Sequence, residues 1–305
     1  MKEIKTVGII GMGALGVLYA SQFTRMIGRE RTLVLADRTR TERFRAEGIW
    51  FNDAFCDFNY VVAEEAKEPV DLLLFCVKYR GLAAAIETCR HLVGPDTILV
   101  SVLNGVRSEE DLCAAFGPEK VVWCVTERMS ARKSGNRAYC YQPGDLAVGV
   151  PAGQDTERLE RLTAFWNRIG FAYDTPADIR LHLWSKLMCN TGVNQTTMIF
   201  GCPYAGIQAF GPARDIMIGA MREVVHVARA EGIPLTGADV DHWLAILDGF
   251  EPQGETSMYQ DRKFRRISEM PLFSGTISPL ARKHGIPVPI NDWLYAQVTK
   301  IESEY

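Results

Sequence analysis

The chain has 305 residues, which is long for a single hydrophobic core and predicts about two domains. Hydrophobic residues make up 47% and charged residues 23% of the sequence, a globular composition that argues against extensive disorder. The formal net charge of -3 gives no sign of a basic surface, so we expect neither a nucleic-acid nor a membrane partner.

The sequence has none of the features of an exported or membrane-spanning protein. No apolar run approaches the ~20 residues that a spanning helix requires, and the first strand begins too early for a signal peptide. We therefore expect a cytoplasmic protein whose eight cysteines are reduced, because none of them forms a CxxC pair. The cysteine spacings and the five scattered histidines do not match a zinc site, and no metal is expected.

A glycine-rich turn follows the first predicted strand, at residues 6–10, and leads directly into an apolar helix. In this GxGxxG pattern Gly11 permits the tight turn, Gly13 lets backbone amides approach a pyrophosphate, and Gly16 lets the helix lie close to the strand. The N-terminus of the helix favours the negative charge of the phosphates. The turn therefore predicts a dinucleotide site. Its residues are Gly11, Met12, Gly13, Ala14, Leu15 and Gly16.

The first half of the chain alternates apolar strands with helical stretches, as a parallel sheet does. Residues 126–150 change to short alternating pieces with turn residues, which predicts antiparallel strands closing one edge of that sheet. A helix near 154–169 and a short strand at 171–173 follow. The further strands of the parallel sheet are predicted at 33–36, 72–77, 97–102 and 121–125.

A polar cluster around Pro176 marks a domain boundary, and nearly every long segment beyond it has helical periodicity. We therefore divide the chain into a dinucleotide-binding domain at 1–176 and a helical substrate and catalytic domain at 177–305. The predicted fold class is α/β, with an N-terminal Rossmann-like doubly wound sheet followed by an all-helical C-terminal domain.

The end of the second strand bears on the choice between NAD and NADP. Asp37 stands about 20 residues after the glycines, where an acidic residue binds the adenosine ribose diol and favours NAD. Arg38 and Arg40 follow at once, and a guanidinium at this place accommodates a 2′-phosphate. A solvated cluster of charges is the third interpretation. The residues alone support the two cofactors equally.

A polar stripe crosses an apolar helix in the second half of the chain. Lys186, Asn190 and Asn194 spread over about 80° of one helix face. Burial of these groups is costly unless polar partners meet them. The stripe is solvated, or its amides bond neighbouring backbone, or it is the wall of a cleft in which Lys186 supplies a proton and the amides hold a small polar ligand.

Two segments of the first half end at the edge where doubly wound sheets bind their ligands. Asn104 follows the strand predicted at 97–102, and Lys78 follows its neighbour. Asn104-Gly105 could also be only a turn, and Lys78 only a solvated charge at the end of a strand.

A predicted helix begins at Ser257 and contains Arg266 and Glu269. Asp261 with Arg265, and Arg266 with Glu269, have the spacing of ion pairs on an exposed helix face. On this basis alone Glu269 is an ordinary surface residue.

Together these segments resemble the ketopantoate reductases, the 2-dehydropantoate 2-reductases of the pantothenate pathway, over nearly the whole chain. The matching residues lie in the glycine turn, at Val77-Lys78 and Asn104-Gly105, and in the C-terminal half. In that half they are Trp184 to Leu187, Asn190, Asn194, Ser257-Met258, Asp261, Arg266, Glu269, Gly275 and His284 to Pro289.

The resemblance implies NADPH-dependent reduction of 2-dehydropantoate to pantoate, in the biosynthesis of pantothenate and coenzyme A. It makes Lys186 the general acid and has Glu269 orient the substrate through its hydroxyl group. Asn104, Asn190, Asn194 and Ser257 would bind the carboxylate and hydroxyl groups of the substrate. The cofactor residues outside the glycine turn would be Arg38, Lys78, Asn104 and Glu269.

The sequence departs from the family pattern at Pro271, where an aspartate is common, and at Ser274, where an asparagine is common. These departures leave another 2-keto acid open as the substrate, and Asp37 leaves NADH open as the cofactor. A β-hydroxyacid dehydrogenase and a non-catalytic dinucleotide sensor are the alternative functions. The helical second domain also leaves room for a homodimer.

Overall fold

A computed structural model describes residues 2–305, which divide into two compact units. The first unit holds residues up to 104 and 108–179, and the second holds 105–107 and 180–305. The division thus falls at 179/180, a few residues beyond the boundary predicted at 176/177, which stays a prediction.

The first unit is built on parallel strands that read as nearly continuous apolar runs, as strands buried on both faces do. Its five-stranded sheet has the order β5-β2-β1-β6-β7, the doubly wound order of a dinucleotide-binding fold. The strands of the unit are β1 (Val7–Ile10), β2 (Thr32–Ala36), β3 (Ile49–Phe51), β4 (Ala54–Cys56), β5 (Asn59–Val62), β6 (Leu72–Phe75), β7 (Ile98–Ser101), β8 (Trp123–Glu127), β9 (Ser130–Ser134), β10 (Arg137–Gln142), β11 (Asp145–Gly149) and β12 (Tyr173–Asp174).

Helices pack against these strands around an aromatic core. Phe23, Trp166 and Phe171 are buried, and the rings of Phe23 and Phe171 stack with centroids 5.2 Å apart. The helices whose ranges lie in this part of the chain are α1 (Ala14–Ile27), α2 (Arg38–Glu47), α3 (Leu82–Cys89), α4 (Arg107–Phe116) and α5 (Glu157–Ile169).

The edge strands differ from the prediction. The fifth strand of the parallel sheet is β5, which the sequence did not reveal, and not the strand predicted at 121–125. That segment becomes β8, which pairs with β11 and is joined to the parallel sheet by a single bridge between Leu99 and Val121. Antiparallel pairing within 126–150 is present, but β9 and β10 belong to a separate sheet with β3 and β4. Of the three strands β9, β10 and β11, only β11 lies at the edge where the sequence predicted antiparallel strands.

The second unit contains helices and no strand among the residues that the structure describes. Gly192 lets two of its helices approach closely, since a Cβ there would lie 2.8 Å from the Met217 carbonyl oxygen. The helices are α6 (Ile179–Phe200), α7 (Ala205–Gln208), α8 (Pro212–Ala230), α9 (Gly237–Asp248), α10 (Ser257–Lys263), α11 (Ser274–His284) and α12 (Pro289–Glu302). The predicted fold class is confirmed.

The helix predicted from Ser257 to Glu269 is too long. It ends at Lys263 because Arg265 takes a positive φ of 49°, which a continuing helix cannot contain. The predicted Asp261–Arg265 pair is replaced by an ion pair between Arg266 and Asp261 at 2.9 Å. No helix of the described residues is long and apolar enough to cross a membrane.

Candidate active site

The carboxyl edge of the parallel sheet collects the predicted cofactor residues of the first unit. β1 lies between β2 and β6, and β7 lies beside β6, all in parallel register. The glycine turn follows β1, Asp37 follows β2, Lys78 follows β6 and Asn104 follows β7. Parallel strands end at the same edge, so these segments lie side by side.

The glycine turn has the close packing that its sequence predicts. Gly11 has a φ of 101°, and a Cβ there would lie 2.6 Å from the backbone nitrogen of Val77. A Cβ on Gly16 would lie 1.8 Å from the Gly11 carbonyl oxygen, which no side chain can tolerate. Gly13 differs, because the only atom near its Cβ position is the Cys76 carbonyl oxygen at 3.8 Å. The turn is therefore tight on the protein side and open at Gly13.

The open side of the turn fits a pyrophosphate. Gly13 is the N-cap of α1, where no side chain caps the helix and no acidic residue stands in the first turn. The first backbone N–H groups of α1 are thus left without a side-chain acceptor, at the positive end of the helix dipole. A dinucleotide phosphate supplies the missing acceptor and the missing negative charge.

Charged residues surround the place where the adenosine ribose of such a cofactor would lie. Asp37 caps α2 by accepting the Arg40 backbone N–H at 2.7 Å, and its other oxygen pairs with the Arg40 guanidinium at 2.5 Å. Arg38 is paired with the carboxylate of Glu65. Both arginines near the second strand therefore already have carboxylate partners.

In the second unit three predicted substrate residues form one hydrogen-bonded chain. Ser257 Oγ donates to Asn194 Oδ1 at 3.2 Å, and Asn194 Nδ2 donates to Asn190 Oδ1 at 3.1 Å. Each of these groups donates to the next residue towards Asn190, so the Nδ2 group of Asn190 remains a donor for a ligand. Lys186 lies about one turn earlier on the same face of α6.

The ammonium group of Lys186 makes the surroundings of the Asn190 end of this hydrogen-bonded network positive. Burial raises the pKa of the Cys189 thiol to about 12, and the Lys186 ammonium opposes that rise. Lys186 itself is half-buried, as is Asn190, while Asn194 is buried. The lysine is thus placed between the protein interior and the surface.

Polar residues that the sequence did not reveal fix α6 against α10. Thr197 and Thr256 share a hydrogen bond of 2.7 Å between their hydroxyl groups, and Thr256 also caps α10. Arg262 donates to the carbonyls of Met198 and Ile199 at the end of α6. These bonds hold Ser257, the first residue of α10, within reach of Asn194.

Glu269 lies outside α10, at the residue that precedes the short helical turn 270–272. Its carbonyl accepts the Leu272 backbone N–H at 2.8 Å, and its side chain is half-buried. In the same unit Gly105, with a φ of 84°, lies close enough to Leu272 that a Cβ would sit 3.3 Å from the Leu272 carbonyl oxygen. Glu269 is therefore placed by a tight turn and not by a helix face.

The structure brings Asn190, Asn194 and Ser257 into one network, and aligns the glycine turn, Arg38, Lys78 and Asn104 along one sheet edge. The sequence missed Glu65 because β5, which positions it, was not predicted. It also missed Thr197, since a threonine inside an apolar helix gives no pattern of its own, and Thr256, although a threonine directly before a predicted helix is a capping signal. The described residues contain no group of three or more His, Cys, Asp or Glu side chains that could hold a metal.

Comparison with known proteins identifies the family. The family model described as ketopantoate reductase PanE/ApbA matches residues 7–153, and its C-terminal counterpart matches residues 178–302. The chain belongs to the ketopantoate reductase family. The resemblance inferred from the sequence is thereby confirmed, and with it the assignment to a family of oxidoreductases.

Individual ketopantoate reductases are only distantly similar in sequence. The 2-dehydropantoate 2-reductase of Aquifex aeolicus is 23% identical over 296 residues, covering 95% of this chain and 94% of that protein. The 2-dehydropantoate 2-reductase of Shigella flexneri is 28% identical over 236 residues, covering 77% of this chain and 75% of that protein.

Solved structures extend the similarity over almost the whole chain. A PanE/ApbA family ketopantoate reductase from Ralstonia eutropha matches with a TM-score of 0.83 and 25% identity, over 98% of this chain and 99% of that one. A dimeric ketopantoate reductase from Staphylococcus aureus (TM-score 0.82) and a D-mandelate dehydrogenase with NADH and anilino(oxo)acetate (0.85) are each 22% identical, with the same coverage. At that identity these two show a common fold.

Proposed function

We propose that this ketopantoate reductase family member catalyses the NADPH-dependent reduction of 2-dehydropantoate to pantoate, in the biosynthesis of pantothenate and coenzyme A. The observation that carries the proposal is the hydrogen-bonded chain from Ser257 through Asn194 to Asn190, one helical turn from Lys186. This chain ends in an amide donor, which suits a ligand with acceptor oxygens. A keto acid carries such oxygens on its carboxylate and its ketone.

The reaction needs a hydride for C2 and a proton for the ketone oxygen. NADPH, when bound, supplies the hydride. Lys186 acts as the general acid: its ammonium N–H bond breaks as the new O–H bond forms, and water then returns a proton to the amine. An ammonium already aimed at the oxygen also stabilises the negative charge that develops there. Glu269 orients the substrate through its hydroxyl group.

Most of the residues proposed to hold the cofactor belong to the first unit. The open glycine turn at Gly13 receives the pyrophosphate, and Arg38 reads the 2′-phosphate. Lys78, Asn104 and Glu269 complete the set of cofactor contacts, and Asn104 also binds the substrate with Asn190, Asn194 and Ser257. NADPH is proposed over NADH on the family resemblance, since Asp37 and Arg38 are both already engaged within the protein.

A reductase of another 2-keto acid is the second candidate. The structural neighbour named as a D-mandelate dehydrogenase supports it, because that protein holds NADH on the same fold. The residues at Pro271 and Ser274 support it as well, since both depart from the family pattern. A β-hydroxyacid dehydrogenase is the third candidate.

Initial rates on a panel of acids test these candidates directly. The panel contains 2-dehydropantoate, pyruvate and an aromatic 2-keto acid such as benzoylformate, each with NADPH and with NADH. Oxidation of 3-hydroxy acids with NAD⁺ and NADP⁺ is measured beside them. The proposal expects the highest kcat/KM for 2-dehydropantoate with NADPH. A higher value for another keto acid supports the second candidate, and turnover of 3-hydroxy acids alone supports the third.

We propose further that the enzyme is a cytoplasmic homodimer. Its eight cysteines are all free, which is typical of a reducing compartment. A dimeric ketopantoate reductase has the same fold, and Trp293 and Tyr295 on α12 leave large aromatic side chains exposed. Light scattering coupled to gel filtration gives the mass, and a single species of monomer mass contradicts the dimer.

A further inference from the structure

Arg38, the residue proposed to read a 2′-phosphate, is already engaged by a carboxylate. Its guanidinium forms an ion pair with Glu65, and both side chains lie more than half exposed. The second arginine of the segment, Arg40, is paired with Asp37. A phosphate arriving here therefore meets two arginines and two carboxylates instead of a plain basic pocket.

The sheet sets the position of Glu65. β5 lies next to β2 in parallel register, with Val62 opposite Ala36, so the residues that follow the two strands are neighbours. Glu65 ends a single helical turn at 63–65 whose first residue, Ala63, is fully buried. His91 holds that turn through a 3.0 Å hydrogen bond to the Ala63 carbonyl. The turn that carries Glu65 is thus held beside the segment that carries Arg38.

We propose that Glu65 is a specificity-determining residue that reduces the preference of the enzyme for NADPH over NADH. The inference rests on the proposed cofactor site and adds a residue to it. A 2′-phosphate has to take the Arg38 guanidinium from Glu65, so that ion pair competes with the phosphate. The uncharged ribose diol of NADH needs no guanidinium, so its binding is indifferent to Glu65. The residue therefore selects between the cofactors by opposing one of them.

Glu65→Gln removes the charge and keeps the shape of the side chain. Isothermal titration calorimetry on the full chain measures four ligands: NADPH, NADH, 2′,5′-ADP and 5′-AMP. Glu65→Gln is expected to tighten NADPH and 2′,5′-ADP by about two- to fivefold, the scale of an exposed ion pair, and to leave NADH and 5′-AMP unchanged. Equal changes for all four ligands, or no change for any, would overturn the role of Glu65.

Glu64→Gln is the matched control, because Glu64 is an exposed carboxylate on the same turn with no ion pair among the described residues. It makes the same change in net charge, and less than a twofold effect is expected. The double variant Arg38→Ala with Glu65→Gln should lose the gain in 2′,5′-ADP affinity, since Glu65 acts through Arg38. A gain that survives without Arg38, or that Glu64→Gln reproduces, would contradict the proposal.

These measurements also separate the inference from the function on which it rests. If the wild-type chain binds none of the four ligands, the proposed cofactor site fails and the inference with it. If the wild type binds them and Glu65→Gln does not discriminate, the cofactor site stands and the inference alone fails. Because the nucleotides are bound without turnover, neither result depends on the identity of the keto acid.

Discussion

The amide of Asn194 illustrates how the candidate site is organised at the scale of single residues. It is buried, accepts from Ser257 and donates to Asn190, so its cost of burial is offset within the site itself. The direction of these bonds leaves the outermost amide as a donor. A network with one open donor at its end is already oriented for a ligand before that ligand binds.

Ser257→Ala tests this network. Loss of the hydroxyl leaves the Asn194 amide without its fixed orientation, so KM for the keto acid is expected to rise about three- to tenfold. The KM for NADPH should stay unchanged. Ser303→Ala, which removes an exposed hydroxyl bonded only to the Lys300 carbonyl, is the control. Steady-state kinetics in which Ser257→Ala behaves like Ser303→Ala would remove the serine from the site.

Arg38→Ala tests the reading of the 2′-phosphate. The variant is expected to weaken NADPH about tenfold or more, because a charge-assisted contact to the phosphate is lost. NADH affinity should change little. Fluorescence titration with each reduced cofactor checks the prediction. An equal loss for both cofactors would mean that the arginine does not contact the 2′-phosphate.

At this scale the sequence predicted which side chains lie together on one helix, but not which side chains meet between separate elements. The spacing of Lys186, Asn190 and Asn194 gives one helix face directly, because helical geometry is local. The pairing of Arg38 with Glu65 could not be predicted, since it depends on two strands that lie side by side only in the folded sheet. The ion pair of Arg266 with Asp261 likewise follows from where α10 ends.

At the scale of secondary structure, α4 contains an unusual buried acid. Glu109 is fully buried, and its Oε2 accepts from Ser108 Oγ at 2.9 Å. Ser108 in turn accepts from Ser101 Oγ at 2.8 Å, and Ser101 accepts the Leu103 backbone N–H. Burial raises the pKa of Glu109 to about 8. The segment that leads from β7 to Asn104 is therefore tied to a carboxyl group that stays protonated at neutral pH.

Glu109→Gln follows from that raised pKa. The folded pKa of about 8 exceeds the ordinary value of 4.5, so the folded state holds a proton that the unfolded chain releases. Stability from this residue is present below pH 4.5 and is lost as the pH rises towards 8, by roughly 1.4 kcal/mol per pH unit at most. The free energy of unfolding of Glu109→Gln, measured in urea, should therefore increase relative to that of the wild type between pH 5 and pH 8. Parallel pH curves for the two proteins would contradict the buried acid, and Glu42→Gln, which removes an exposed carboxylate on α2, should follow the wild type.

The same scale shows why some elements escaped prediction. β5 is as short as β1, β6 and β7, but an asparagine and a tyrosine break the continuous apolar run that makes those strands recognisable. The end of α10 depends on the left-handed conformation of Arg265, which residue type does not dictate. The parallel strands were predictable because their residues are continuously apolar, and the helix α6 because its periodicity extends over many residues.

At the scale of the whole molecule, the fold and the family follow from the sequence, whereas the substrate does not. The glycine turn and the helical second half determine the architecture, and many reductases share it. Specificity depends instead on the few side chains that contact the substrate. Pairwise identities of 20% to 28% with known relatives do not determine how these side chains set the substrate specificity.

The role of Lys186 is the claim on which the proposed reaction depends. The most direct measurement is kcat for 2-dehydropantoate reduction by Lys186→Ala, together with the Kd for NADPH. The loss of the acid is expected to lower kcat by 10² or more while the Kd for NADPH changes less than about threefold. Lys186→Arg, which keeps the charge but donates its proton poorly, should restore little of the rate, and Lys300→Ala on α12 should match the wild type. A Lys186→Ala enzyme with an unchanged kcat would contradict the mechanism.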